Sequence, residues 1–160
     1  MVHITGDTHG EIDSHKLTVK NFPQQKLMTK SDSLIVCGDF GCVWDGSKND
    51  KYWQKWYEGK PFTTLFVDGN HENHKMLAEF PIENRFGGRV HQIQPSVLHL
   101  MRGEVFEIDG ARCPVWVGHL LTISTCENPM FPGRKKKSQV RLNSSTRLMC
   151  WKATTGAWIT

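Results

Sequence analysis

The sequence predicts a layered α/β domain with an at least partly parallel sheet. Three observations carry that reading. Short apolar runs of buried-strand type recur at Val2–Thr5, Ser33–Cys37 and Thr63–Val67, each closed by a glycine or an Asp-Gly turn. Segments that read as helices separate them, and strands alternating with helices bury a sheet between layers. The chain has 160 residues, enough for one domain with a real core and little room for a second.

Taken in order, Val2–Thr5 ends in Gly6, and Asp13–Asn21 reads as a helix stopped by Pro23. SLIVC at 33–37 is a continuous apolar run that ends in Gly38. Ser47–Tyr57 is a helix with Ser47 as its N-cap and Tyr52, Trp53, Trp56 and Tyr57 on adjoining faces. TTLFV at 63–67 is a second buried strand, closed by Asp68-Gly69, and Asn73–Phe80 reads as a helix stopped by Pro81. Strands follow near Val90–Ile93, Val97–Leu100 and Glu104–Ile108, the last turning at Asp109-Gly110. Val115–Val117 is a further strand candidate. Beyond it, Thr122–Thr160 shows no sustained period of 2 or 3.6.

Composition narrows the class. Apolar residues make up 38 % and charged residues 22 %, which fits neither a disordered tail nor a membrane protein. No apolar run approaches the roughly 20 residues that span a bilayer, and MVHITGDTHG lacks the basic and apolar stretches of a signal peptide. Five cysteines are an odd number without paired spacing, so a reducing, cytoplasmic location is expected rather than a disulfide framework. The net charge of +4 is unevenly spread. Residues 1–109 hold 12 Lys and Arg against 15 Asp and Glu, and residues 110–160 hold 8 against 1. The basic excess therefore belongs to the tail and describes no single surface.

Three polar clusters stand at the ends of three predicted strands: Asp7-Thr8-His9 in GDTHG, Asp39 in GDFG, and Asn70-His71-Glu72 in GNHE. Ligand sites in α/β sheets favour the carboxyl ends of strands, where neighbouring loops converge. Asp, His and Asn donors suit hard or borderline divalent cations such as Mn²⁺, Fe²⁺ and Zn²⁺. Gly6, Gly38 and Gly69 supply the tight turns. Singly, a GD after a strand is a turn and a lone His is structural or solvated. The three clusters in this order are a different matter.

DTH–GDFG–GNHE resembles the first three signature blocks of the calcineurin-like metallophosphoesterases. The surrounding KNFP (20–23), CGDFGCVWD (37–45) and HLMRGEVFEIDG (99–110) are similar to a small bacterial and phage branch. The resemblance covers residues 1–110 and implies a metallophosphoesterase-like β-sandwich flanked by helices, truncated here on its C-terminal side. It implies that Asp7 and His9 bind a first divalent ion, that Asp39 bridges two, and that Asn70 binds the second. The ions would be Mn, Fe, Zn or Ni. His71 would face the scissile phosphate as general acid or charge stabiliser. Two divalent ions about 3.5–4 Å apart clamp a phosphoryl group and lower the pKa of a bridging water, and the hydroxide so formed attacks phosphorus in line. An imidazole with a pKa near 6.5 can protonate the leaving oxygen. The substrate would be a phosphomonoester or phosphodiester, with no membrane partner and nucleic acid expected only as a possible substrate.

The chain also departs from the pattern. The Asp-Arg-Gly that follows the second block in Ser/Thr protein phosphatases is absent from GDFGCVWDG. The family completes its metal shells with later histidines, including a Gly-His-x-His, whereas this chain has Gly118-His119-Leu120-Leu121. A catalytically incomplete fragment is therefore the competing reading. His99 is expected to pack locally, with a phosphate-facing role as the alternative, and His74 and His91 are expected at the surface. Trp44 lines a substrate mouth or packs; Trp53, Trp56 and Tyr57 pack. Cys37 reads as a buried small hydrophobe. The RKKK run at 134–137 reads as a solvated charge run with no nucleic-acid motif around it.

Charge, periodicity and resemblance all change near Gly110. We read residues 1–110 as the N-terminal part of the fold and 111–160 as an atypical basic tail, disordered or translated out of frame. Back-translation of Gly118–Ser138, read from the third base of each codon, permits GASIDNKYMRESHVSWEEE. That is close to the continuation of related chains, and the lysine run there yields only Glu or Lys.

Overall fold

A computed structural model describes residues 1–116, together with the strands at 149–152 and 157–159. Among the described residues there are ten strands: β1 (Val2–Gly6), β2 (Ser33–Cys37), β3 (Thr63–Val67), β4 (Ile82–Arg85), β5 (Gly88–Gln94), β6 (Val97–Leu100), β7 (Val105–Ile108), β8 (Ala111–Pro114), β9 (Met149–Lys152) and β10 (Ala157–Ile159). The α-helices among the described residues are α1 (Lys48–Glu58) and the single turn α2 (His74–Leu77). Eight strands form one sheet in the order β10-β9-β1-β2-β3-β6-β5-β4, and β7 with β8 forms a hairpin apart from it. The central strands β1, β2, β3 and β6 run parallel, as the buried apolar runs predict, while β4, β5 and β9 pair antiparallel.

Alternation along these strands feeds two cores. Leu34, Val36 and Phe66 face one side, where they pack with Phe40, Tyr57 and Phe62 beneath α1. Ile35, Cys37, Leu65 and Val67 face the other, where Phe106 and Ile108 of the β7–β8 hairpin cover them. The result is a helix layer, a large sheet and a small second sheet, the layered α/β arrangement expected. Trp53 and Trp56 pack against the helix-side core. Cys37 is buried and its thiol is pushed up to about 12 by burial, so it is a hydrophobe and not a nucleophile.

Local departures have local causes. No α-helix forms over 13–21; a 3₁₀ turn at Ser14–Leu17 and another at Pro23–Leu27 replace it. Ser14 and Thr18 hydroxyls and the Asn21 amide donate to the Glu11 and His15 carbonyls, competing with helical bonds. The predicted α1 is present, and Ser47 accepts from Asp50 N as its N-cap. Over 73–80 only one α-helical turn forms, capped by Asn73. Polar β4 is an exposed edge strand without alternation, which hid it from the sequence pattern. The last described strand of the N-terminal part is Ala111–Pro114; of the expected strand at 115–117, Val115 and Trp116 lie in no strand and residue 117 is outside the described residues. In the tail, β9 pairs with β1 and β10 with β9, both too short to register as a sustained period. His119 and the RKKK run lie outside the described residues.

Candidate metal centre

Parallel pairing brings the three polar clusters to one edge. Gly6 is in register with Cys37, and Cys37 with Val67, so the loops after β1, β2 and β3 leave the sheet side by side. Backbone bonds continue between them: Asp7 N donates to Gly38 O at 3.1 Å, His9 N to Asp39 O at 2.9 Å and Gly10 N to Phe40 O at 2.8 Å. Asp7, His9 and Asp39 all hold left-handed backbone, with φ of 49°, 44° and 44°. Such a conformation costs an L-residue of order 1–3 kcal/mol, and strain of this kind gathers where side chains must be aimed. At Gly69 the approach is so close that a Cβ would lie 2.1 Å from Asp39 Oδ1, so only glycine fits.

The aimed side chains meet. His71 Nδ1 lies 3.0 Å from Asp39 Oδ2, and its backbone N donates to Asp39 Oδ1 at 3.1 Å. His9 Nε2 lies 3.8 Å from the same Oδ2. Ligand-capable atoms of His9, Asp39 and His71 thus all fall within 4.8 Å of one another. Asp7 is half-buried next to Asp39, and burial followed by the Asp39 charge raises its carboxyl above the ordinary range. Burial works against ionised Asp39 too, yet the His71 hydrogen bonds outweigh it and hold this carboxyl below the ordinary range. Asn70 is exposed on the same loop, and no hydrogen bond joins it to Asp7, His9 or Asp39. Of the five residues singled out from sequence, the structure gathers His9, Asp39 and His71 and sets Asp7 against Asp39, while Asn70 is exposed and joins them only as the chain neighbour of His71.

Several residues brace this cluster, and of these Asp50 and Asp68 carried no functional signal in the sequence. Glu72, buried, accepts from Gly41 N at 2.8 Å and from Gly69 N, which bolts the second loop to the third. Burial pushes its carboxyl up despite these bonds. Asn73 N donates to Val43 O and its Nδ2 to Trp44 O, while buried Asp50 accepts from the backbone of Trp44, Asp45 and Gly46. Trp44 is 56 % exposed on that braced loop, at the rim rather than in the core. Buried Asp68 receives His99 Nε2 at 3.0 Å, Arg102 Nε at 3.1 Å and His74 Nδ1 at 3.0 Å. His99 packs locally as expected. His91 is buried rather than at the surface, because the β5–β6 register sets it opposite His99 and the rings stack at 5.2 Å.

The donor set is carboxylate oxygen and imidazole nitrogen, suited to a hard or borderline divalent cation. Asp7 and Asp39 oppose each other's ionisation, a repulsion that a bound cation relieves. The residues fit a metal.

A family model described as calcineurin-like phosphoesterase matches residues 1–131. The chain belongs to the calcineurin-like phosphoesterase family. All five residues read from sequence fall within that match, which runs past the turn at Gly110. The chain is similar to lariat debranching enzyme A of Xenopus laevis, 32 % identical over an alignment of 125 positions that covers 69 % of this chain and 22 % of that protein. It is also similar to the lariat debranching enzymes of Arabidopsis thaliana (33 % over 92 residues; 49 % of this chain, 22 % of that one) and Caenorhabditis briggsae (30 % over 155 residues; 86 % and 29 %). The chain spans under a third of the length of each of these relatives. No solved structure matches it. No helix among the described residues is long and apolar enough to cross a membrane.

Proposed function

We propose that this chain is a metal-dependent hydrolase of phosphate esters, with two divalent ions held by Asp7, His9, Asp39 and Asn70. One observation carries the proposal: Asp39 stands within reach of both His9 and His71 and faces Asp7, the arrangement a shared, bridging carboxylate needs. When bound, such ions supply Lewis acidity toward the phosphoryl oxygens and an acidified water as nucleophile. The ions are Mn, Fe, Zn or Ni, the borderline metals that this donor set accepts.

The protein's own groups then do three things. Asp7 and Asp39 set negative charge at one spot, held by strained backbone that costs nothing further when a substrate arrives. His71 offers Nδ1 to Asp39 and keeps Nε2 for the leaving oxygen. The Asp39 hydrogen bond raises the imidazole's proton affinity, so His71 is protonated at a higher pH than an isolated histidine. With its side chain 51 % exposed, His71 is open to an entering ester. Of the two ester classes, we place phosphodiesters first because the relatives are lariat debranching enzymes. We place the chain in a reducing, cytoplasmic setting, which suits the buried thiols of Cys37 and Cys42.

The second reading is a chain that keeps the fold and lacks a complete metal shell, favoured by Leu121 standing where a second histidine of Gly-His-x-His would be. Hydrolysis of bis(p-nitrophenyl) phosphate and p-nitrophenyl phosphate with added Mn²⁺ separates the two. We expect turnover by the wild type that Asp39→Asn abolishes. No turnover by the wild type would favour the incomplete chain, and near-normal turnover by Asp39→Asn would overturn the site.

A further inference from the structure

Beside the metal centre, the same edge of the sheet carries a second cluster that hydrolysis of a simple ester does not use. The β3–β6 register pairs Phe66 with His99, and continuing it sets Gly69 level with Arg102. The β2–β3 register likewise sets Gly69 level with Asp39. Arg102 stands in the turn after β6 and lies against Asp68, the residue before the Gly69 that abuts Asp39. Its guanidinium is gripped by Asp68 through Nε at 3.1 Å and Nη2 at 2.5 Å. The other Asp68 contacts are His99, buried, and His74, whose side chain is 51 % exposed. Arg102 is 47 % exposed.

This geometry leaves Arg102 Nη1 as an outward donor and His74 Nε2 as a second ring nitrogen, which donates in the imidazolium form. Among the described residues, Arg102 Nη1 and His74 Nε2 meet no partner, while Asp68, 3 % exposed, turns both of its oxygens to the cluster. One buried carboxylate thus fixes two nitrogen-rich side chains at the rim, on the His71 side of the metal centre. Pre-positioned guanidinium N–H groups recognise a phosphate more strongly than mobile lysines do. We propose that Arg102 and His74 form a second phosphate subsite, and that the substrate carries a further phosphate next to the ester that is cleaved. The proposal rests on the phosphoesterase reading above. It deepens that reading to a substrate class of at least two phosphates, as in an oligonucleotide, rather than a lone alkyl or aryl ester. Asp68 acts through the pair as a positioning residue.

The test compares thymidylyl-thymidine (TpT) with its 5′-phosphorylated form (pTpT). Hydrolysis with Mn²⁺ gives kcat/KM for each, and calorimetric titration without added metal gives affinities. We expect pTpT to be favoured about 10-fold over TpT in both measurements, through KM rather than kcat, as one charge-assisted contact supplies. Arg102→Gln and His74→Gln each bring that ratio toward 1. Lys26→Gln, which removes a cation from the 3₁₀ turn before β2, leaves the ratio as in the wild type. Should Arg102→Gln fail to fold after stripping Asp68 of a partner, His74→Gln on its exposed turn carries the test. Equal treatment of the two dinucleotides by the wild type, or a ratio unchanged in both variants, overturns the subsite. If neither dinucleotide is hydrolysed while pTpT still binds more tightly and Arg102→Gln removes the difference, the subsite stands and the phosphoesterase reading falls.

Discussion

Replacing Gly69 with alanine tests how tightly the metal loops are fitted together. A Cβ at this position would lie 2.1 Å from Asp39 Oδ1 and 2.6 Å from Asp39 N, whereas real Cβ contacts essentially never fall below 3.0 Å. Relief at Oδ1 alone asks Asp39 to retreat by about 0.9 Å, from 2.1 to 3.0 Å. Turning the side chain away is not enough, because the second clash is with backbone that also carries the bond from His9 N to Asp39 O. The loop must therefore move as a unit and take the carboxylate with it. Overpacking of this kind costs about 1–3 kcal/mol of stability, and a misplacement near 1 Å in a catalytic array costs about 10²-fold in rate. The assays are urea unfolding, Mn²⁺ titration by calorimetry, and hydrolysis of bis(p-nitrophenyl) phosphate. Gly69→Ala should remain folded, lose up to a few kcal/mol, and lose roughly 10²-fold in turnover, with weaker Mn²⁺ binding. A variant that matches the wild type in Mn²⁺ affinity and turnover would refute the reasoning.

Three further outcomes follow from the same contacts. His71→Ala should lower turnover by about 10²–10⁴, the worth of a placed acid, and keep most of its metal; loss of the ions as well would make His71 a ligand instead. Burial opposes ionised Asp68, but His99 and Arg102 outweigh it and hold its carboxyl well below the usual range. The stabilisation is therefore complete above the unfolded value near pH 4 and is lost as pH falls through the lower folded value. The stability gap between wild type and Asp68→Asn should narrow as unfolding is followed from pH 5 downward, and a constant gap contradicts the assignment. Lys60 Nζ sits 3.4 Å from the centroid of the Trp56 ring and donates to Leu17 O at 3.0 Å, with burial lowering its pKa to about 8. Between pH 8 and the unfolded value of about 10.4, the unfolded chain holds more protons. The wild type should therefore gain stability relative to Lys60→Met as pH rises through that window, and a flat difference would show that Lys60 titrates normally.

Much of the parallel core was legible because β2 and β3 are unbroken apolar runs closed by turns, a pattern set by burial on both faces. The metal loops were legible because short oxygen and nitrogen donors follow strand ends. Their geometry was not. Nothing in the letters DTH or GDFG announces that Asp7, His9 and Asp39 hold left-handed backbone, since that follows from pairing between loops. The bolts were harder still. Asp68 reads as an ordinary turn residue before Gly69, and only the β3–β6 register reveals that His99 and Arg102 converge on it. His91 misled for the same reason: a histidine in a half-polar strand looks solvated until antiparallel pairing puts it against His99. Over 13–21, side-chain oxygens and amides captured the carbonyls that a helix would have used, a competition that hydrophobic periodicity does not register.

The central claim is that Asp7, His9, Asp39 and Asn70 hold two divalent ions around one shared carboxylate. Elemental analysis by mass spectrometry of the purified full chain, loaded with Mn²⁺ and freed of unbound metal by gel filtration, tests it most directly. The account predicts two ions per chain for the wild type and loss of at least one in Asp39→Asn, whose amide cannot offset the repulsion between two cations. A wild type that retains no more than one ion, or an Asp39→Asn chain that retains both, would contradict it.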